Sequence, residues 1–178
     1  MIPAGTKVPY TITFLEMTEA PEFRAPDLPD GFDLIHAEDA PVWYFLALYR
    51  AVGRDWEWQD RLIEPEVDVA KFAEHPKVEI WTLLSKGWPR GFFVLDFRQA
   101  NVCDLAYFGL VPEAVGRGVG KTLLQRAVTQ AWRTGINRLT VNTCTLDHPR
   151  ALGLYQTMGF RPVRTEEHYR VLSRARLG

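Results

Sequence analysis

Leu110-Val111-Pro112-Glu113-Ala114-Val115-Gly116-Arg117-Gly118-Val119-Gly120-Lys121 contains three glycines at alternate positions. It lies between a segment with β-strand character and a segment whose apolar residues recur at helical spacing. Glycine lets the backbone turn tightly and come close to a ligand. Free amides at a helix N-terminus attract an anion, and Arg117 and Lys121 add positive charge. The stretch therefore predicts a phosphate or pyrophosphate site where a strand passes into a helix.

The segments after this loop predict an alternation of helices and strands. Apolar residues keep a helical spacing over Gly118–Thr134, and Arg138–Thr145 alternates as a strand does. Pro149–Met158 predicts a second helix, which Gly159 ends, and Phe160–Leu172 predicts a last strand. The back half of the chain is therefore expected to run β–α–β–α–β.

Three strands are predicted before the loop. They are Val78–Ser85, Gly91–Arg98 and Val102–Val111, and the turn residues Lys86-Gly87-Trp88-Pro89 separate the first two. Short connections between consecutive strands favour an antiparallel meander.

The first part of the chain has weaker signals. Tyr10–Met17 and Asp33–His36 have strand character, Val42–Val52 predicts a strongly apolar helix, and Glu66–Glu74 predicts a short one. We find no repeat, low-complexity tract or linker, which predicts a single domain over residues 1–178.

The bulk composition excludes several classes of protein. The chain has 178 residues, a net charge of -1, 47% hydrophobic and 24% charged residues, as a globular domain does. No basic excess suggests nucleic acid as a partner. No apolar run is long enough for a membrane helix, and no signal peptide is recognisable. Cys103 and Cys144 lack metal-ligand or redox spacing, so we expect no metal, reduced thiols and a cytoplasmic location.

Two common phosphate-binding loops fit poorly. A Walker A loop needs Gly-x4-Gly-Lys-Ser/Thr, and Val115 stands where its first glycine belongs. A dinucleotide fingerprint needs Gly-x-Gly-x-x-Gly, whereas this chain has Gly-x-Gly-x-Gly after strands that look antiparallel.

The loop instead resembles that of the GNAT superfamily of acyl-CoA transferases. The core of the family loop, Gln/Arg-x-x-Gly-x-Gly/Ala, is matched by Val115–Gly120, with Val115 in place of the usual first residue. Asp147–Phe160 is similar to the family segment Asn-x-x-Ala-x-x-x-Tyr-x-x-x-Gly-Phe, although His148 stands where Asn is common. The matching positions in that segment are Ala151, Tyr155, Gly159 and Phe160.

The resemblance implies an α/β fold of the α+β type: a mixed, mostly antiparallel central sheet flanked by helices, with a splayed strand pair. It implies a cofactor-binding core at about 78–172 and an acceptor side formed by the N-terminal part. The implied activity is direct transfer of an acetyl group from acetyl-CoA, as co-substrate, to a small-molecule or peptide amine. The alternative is a non-catalytic acyl-CoA-binding or sensing domain. Many relatives dimerise, so the resemblance is consistent with a homodimer.

The resemblance also implies roles for individual residues. The backbone of Phe108–Leu110 would pair with the pantetheine, and the Leu110 amide would stabilise the oxyanion of the tetrahedral intermediate. Tyr155 would protonate the leaving thiolate. The implied cofactor-binding residues are Phe108, Gly109, Leu110, Val115, Gly116, Arg117, Gly118, Val119, Gly120, Lys121, His148 and Tyr155.

Asp104 is the candidate general base, because the family often has an acidic residue near this position. Strand alternation is expected to put its side chain on one face with Ala106, Phe108 and Leu110. The alternative is an Asp that only makes structural hydrogen bonds.

Trp56 and Trp58 are the candidate acceptor-binding residues. They lie in an irregular stretch, and aromatic rings beside carboxylates suit a cationic amine. The neighbouring acids are Asp55, Glu57 and Asp60.

Overall fold

The structure is a computed structural model that describes residues 1–176. Seven strands form one mixed sheet in the order β2-β3-β4-β5-β6-β1-β7. This architecture confirms the predicted fold class, while the last two residues of the expected domain lie outside the described ones. The strands are β1 (Lys7–Met17), β2 (Phe32–His36), β3 (Val78–Ser85), β4 (Trp88–Asp96), β5 (Val102–Leu110), β6 (Arg138–Cys144) and β7 (Arg161–Val171).

Helices cover both faces of the sheet. On one face α4 buries Leu123, Leu124 and Val128 against the strands, and α5 adds Tyr155. On the other face α1 and α3 pack as a second apolar cluster. No helix among residues 1–176 combines the length and apolar character needed to cross a bilayer. The helices are α1 (Val42–Gly53), α2 (Asp60–Ile63), α3 (Glu66–Ala73), α4 (Val119–Trp132) and α5 (Ala151–Thr157).

The predicted meander β3-β4-β5 is confirmed, with antiparallel pairing throughout. Its first hairpin turns more tightly than the sequence predicts. Lys86 and Gly87 both have positive φ, 54° and 80°, which is the signature of a two-residue type I′ turn. Trp88 and Pro89 therefore belong to β4, and their assignment to the turn is wrong.

Strands β5 and β6 separate, as the resemblance implied. Their parallel pairing is confined to Val102–Asp104 against Arg138–Thr140. Beyond this short ladder β5 continues to Leu110 and β6 to Cys144 without pairing to each other. The two strands thus open a wedge-shaped gap in the middle of the sheet.

The N-terminal strand β1 lies on the far side of that gap. It pairs antiparallel with β6 on one edge and with β7 on the other. Leu15 and Met17 at its end are 1% and 5% exposed and belong to the apolar cluster of α4. The first strand of the chain is therefore part of the central sheet and brings its residues next to the C-terminal strand.

Candidate functional site

The glycine loop leads directly into α4. Gly116 and Gly118 both have a φ of 80°, a left-handed conformation that residues with a Cβ adopt only with strain. A Cβ at either position would meet nothing within 4 Å, so conformation rather than space requires glycine. Gly118 is the N-cap residue of α4, and helix geometry leaves the first amides after it without an intrahelical partner. This exposed cradle, flanked by the exposed side chains of Arg117 and Lys121, fits a diphosphate.

The edge of β5 that faces the gap carries unpaired backbone groups. The amide of Val111 donates to the carbonyl of Arg90, at the start of β4, at 2.9 Å. Because successive amides of a strand point to opposite edges, the amide of Leu110 points away from β4 and toward the gap. A bound chain could therefore add to β5 as an extra strand.

Tyr155 extends from α5 toward β5. Its ring lies edge-on to that of Phe108, with 6.3 Å between centroids, and to that of Phe160 at 5.8 Å. The residue is only 6% exposed. Burial raises the pKa of Tyr155, and the nearby charges of Asp147 and Asp104 raise it further. The hydroxyl therefore stays protonated at neutral pH and releases its proton less readily than that of an exposed tyrosine.

Asp104 lies at the apex of the gap, in the last pair that joins β5 to β6. Its Oδ1 accepts a hydrogen bond of 2.5 Å from the Thr140 hydroxyl. Burial raises the pKa of the Asp104 carboxyl, the hydrogen bond from Thr140 opposes this, and the charge of Asp96 adds to the increase.

The expected single face of β5 is wrong between Ala106 and Phe108. The register against β4 shifts between Val94 and Leu95, so Ala106 is an extra, bulged residue. Ala106 packs against the cluster of α1 and α3, whereas Phe108 packs against the cluster of α4. The bulge interrupts strict alternation, which the sequence-based expectation assumed.

A cavity of about 250 Å³ lies beside the gap. Its walls come from α1, the segment before and at the start of α2, strands β5, β6, β1 and β7, and the segment after β6. Aromatic rings and carboxylates dominate the lining. The lining residues are Tyr10, Ile12, Tyr49, Glu57, Trp58, Asp60, Ala106, Tyr107, Asn142, Cys144, Leu146, Asp147 and Arg170.

The two predicted tryptophans lie in different places. Trp58 lines the cavity, and its indole N–H donates to Asp147 Oδ1 at 3.1 Å. Trp56 is not part of the lining; its ring stands against that of His148, with 5.3 Å between centroids. His148 in turn accepts the amide of Arg150 through Nδ1 at 3.1 Å.

Several cavity residues had no predicted role. Asp147 is within the quoted segment Asp147–Phe160, so its position was a usable signal. Tyr10 and Arg170 come from the first and last strands, and no local pattern indicates that these strands meet at the cavity.

The sequence model of the Acetyltransferase (GNAT) family matches residues 21–160, and the chain belongs to this family. No curated protein matches the chain significantly.

Solved structures with the same fold include a GCN5-related N-acetyltransferase from Sphaerobacter thermophilus, at a TM-score of 0.61 and 18% identity over 98% of this chain and 54% of that one. A second, a GCN5-related N-acetyltransferase from Kribbella flavida, has a TM-score of 0.60 and 17% identity over 89% of this chain and 56% of that one. An aminoglycoside acetyltransferase from an uncultured soil metagenomic sample has a TM-score of 0.59 and 14% identity over 74% of this chain and 90% of that one. The chain thus spans about half the length of the first two proteins. Likeness at these identities concerns the fold.

Proposed function

We propose that the chain is an acetyl-CoA-dependent N-acetyltransferase that transfers the acetyl group directly to an amine. One observation carries this proposal. The gap between β5 and β6 has a glycine cradle near one end, a protonated tyrosine beside it, and a cavity lined with carboxylates on the α1 side.

The proposed cofactor site follows the gap. Backbone amides of Gly116–Lys121 bind the diphosphate, with charge from Arg117 and Lys121, and His148 lies at its border. The free edge of Phe108–Leu110 pairs with the pantetheine. Bound in this way, acetyl-CoA supplies an activated acyl group as a thioester. Family membership and the open β5 edge support this arrangement.

The proposed chemistry uses three groups of the chain. The amine nitrogen forms a bond to the thioester carbon, and the Leu110 amide stabilises the negative oxygen that results. The C–S bond then breaks, and the thiolate takes the proton of Tyr155. Asp104 accepts the proton that the amine loses, through a water molecule because its own side chain is not part of the cavity lining. Its raised pKa suits that role.

We further propose that residues 1–178 act as one domain in which residues 78–172 hold the cofactor. The acceptor side includes the segment around Trp58, which supports the predicted role of the N-terminal part. Strand β1 completes the cavity from the opposite side of the gap.

The experiment is a thiol-release assay with acetyl-CoA and a panel of small amines, for the native protein and Tyr155→Phe. We expect amine-dependent thiol release, and a loss in kcat of about 100-fold or more for the variant, since general acids contribute about 10²–10⁴-fold. Acetyl-CoA affinity and thermal stability should stay close to native values. Thiol release that no amine stimulates, or a fully active Tyr155→Phe, would contradict the proposed transfer mechanism.

A further inference from the structure

The acceptor cavity has more negative than positive charge. Three carboxylates line it, Glu57, Asp60 and Asp147, against the single guanidinium of Arg170. A second guanidinium, that of Arg61, is outside the lining and donates to the Tyr107 hydroxyl at 2.8 Å.

Arg170 compensates only one of the three carboxylates. Its Nη2 donates to both oxygens of Asp60, at 2.8 and 2.7 Å, while its Nη1 donates to the backbone carbonyl of Glu57. Within residues 1–176 neither Glu57 nor Asp147 forms an ion pair with a cationic side chain. Two cavity carboxylates therefore lack a cationic partner among these residues.

Glu57 has fewer hydrogen-bond partners for its carboxylate than Asp147 has. The residue is 4% exposed, and its Oε2 accepts the amide of Ser173 at 3.1 Å. Its Oε1 is buried and has no hydrogen-bond partner among the described residues. A buried carboxylate oxygen without a donor is costly, and Glu57 lines the cavity, so a ligand cation there can supply the missing donor once the side chain turns toward it.

Asp147 differs in both place and partners. Neutral donors hold its two oxygens: Trp58 on Oδ1, and the Thr143 hydroxyl with the Cys144 amide, both at 2.9 Å, on Oδ2. The Trp58 ring also passes close to Gly109, since its Cη2 lies 3.8 Å from the position of a Cβ there. Asp147 is thus linked to the gap-facing strand β5, whereas Glu57 is linked to the segment after β7.

We propose that the acceptor is a small diamine that is dicationic in solution: one ammonium group binds the Glu57 carboxylate, while the other, beside Asp147 at the gap, loses a proton to solvent and attacks the thioester carbon as the neutral amine. This assignment rests on the proposed acetyl transfer. The ammonium group at Glu57 stays bound and charged during the reaction, and it fixes the position of the reacting nitrogen.

Two features of the cavity define the size and shape of this ligand. The volume of about 250 Å³ is below the roughly 300–1,000 Å³ of pockets for drug-sized ligands, which favours a short aliphatic chain over a large polycyclic acceptor. The rings of Tyr10, Tyr49, Trp58 and Tyr107 line the same cavity and provide aromatic surface for methylene and ammonium groups.

The test compares three amines that share a four-carbon chain: putrescine, n-butylamine and γ-aminobutyrate. With saturating acetyl-CoA, kcat/KM for putrescine should exceed that for n-butylamine by about 10- to 100-fold, as expected for a charged hydrogen bond. γ-Aminobutyrate should be the poorest acceptor, because its carboxylate would face Glu57.

Glu57→Gln keeps the shape of the side chain and removes its charge. This variant should lose most of the preference for putrescine over n-butylamine, measured as the ratio of the two kcat/KM values. Asp55→Asn is the matched control: Asp55 is in the same loop, pairs with Arg174 at 3.5 Å and does not line the cavity. It should keep the native preference.

Equal use of putrescine and n-butylamine by the native protein would overturn the dication assignment while leaving acetyl transfer intact, and this comparison needs no variant. A Glu57→Gln protein that folds and keeps its preference would overturn it too. If acetyl-CoA binds but no amine releases thiol, the proposed function fails, and with it this inference.

Discussion

Asp104 is a residue at which the stability of the fold and the proposed chemistry have opposite requirements. Its carboxyl is partly buried beside Asp96, and both this burial and the charge of Asp96 raise its pKa. A group whose pKa is raised on folding destabilises the folded protein when it ionises. This loss of stability is absent below the pKa of the Asp side chain in the unfolded chain, about 3.9, and is complete above the pKa of Asp104 in the folded protein.

We therefore expect Asp104→Asn to be more stable than the native protein at pH 7. The variant retains the hydrogen bond from the Thr140 hydroxyl and no longer buries a charge. Its advantage in the free energy of unfolding should disappear near about pH 3, where the native Asp104 is protonated in both states. Its kcat should fall by about 100-fold, the size of a general-base contribution. Urea unfolding at several pH values measures the first effect, and a variant less stable than native at pH 7 would contradict it.

At this scale the sequence predicts residues that belong to a motif and misses those brought together by the fold. The positive φ of Gly116 and Gly118 agrees with their spacing before a helix. The sequence indicates Glu57 only as an acid beside Trp58. Its unpartnered oxygen depends on burial by distant segments, including Ser173.

Strand β1 is the element whose position in the sheet is least predictable from the sequence. It fills the sheet position between β6 and β7, with Thr13 paired to Thr143 on one side and Thr165 on the other. These partners are more than a hundred residues away, and alternation along β1 itself contains no information about them. The meander and helices α1, α3, α4 and α5, by contrast, follow local periodicity and short turns, so the sequence predicts them with bounds within a few residues, whereas the one-turn helix α2 is not predicted.

The importance of β1 to the fold can be measured at Leu15, which is 1% exposed in the cluster of α4. Leu15→Ala should lower the free energy of unfolding by about 2–5 kcal/mol, the usual cost of a buried Leu to Ala change. Leu152→Ala is the matched control, because Leu152 on α5 is 37% exposed and should change stability by about 0.5 kcal/mol or less. Equal, small effects of the two substitutions in denaturant titrations would show that β1 is not part of the core.

In the whole molecule, the proposed transfer site draws on segments spread over nearly the entire chain. The glycine loop and α5 contribute the cofactor side, while Trp58, Glu57, Tyr10 and Arg170 contribute the acceptor side. The sequence motifs identify the first set, because the resemblance covers it. The second set depends on how β1, β7 and the segment before α2 pack together, which only the tertiary structure shows.

The central claim is that the amides of Gly116–Lys121 bind the diphosphate of acetyl-CoA. Calorimetric titration of acetyl-CoA into the native protein, Gly118→Ala and Gly31→Ala tests it most directly. Both glycines have a φ near 80° with no atom within 4 Å of an added Cβ, so the substitutions impose similar strain of about 1–2 kcal/mol. Only Gly118 belongs to the loop.

We predict binding to the native protein and native affinity for Gly31→Ala. For Gly118→Ala we predict an affinity about tenfold lower, because the loop must take up the strained left-handed conformation to bind the diphosphate. A strain of about 1.4 kcal/mol corresponds to tenfold in affinity. No binding of acetyl-CoA to the native protein, or equal affinities for Gly118→Ala and Gly31→Ala, would contradict the claim.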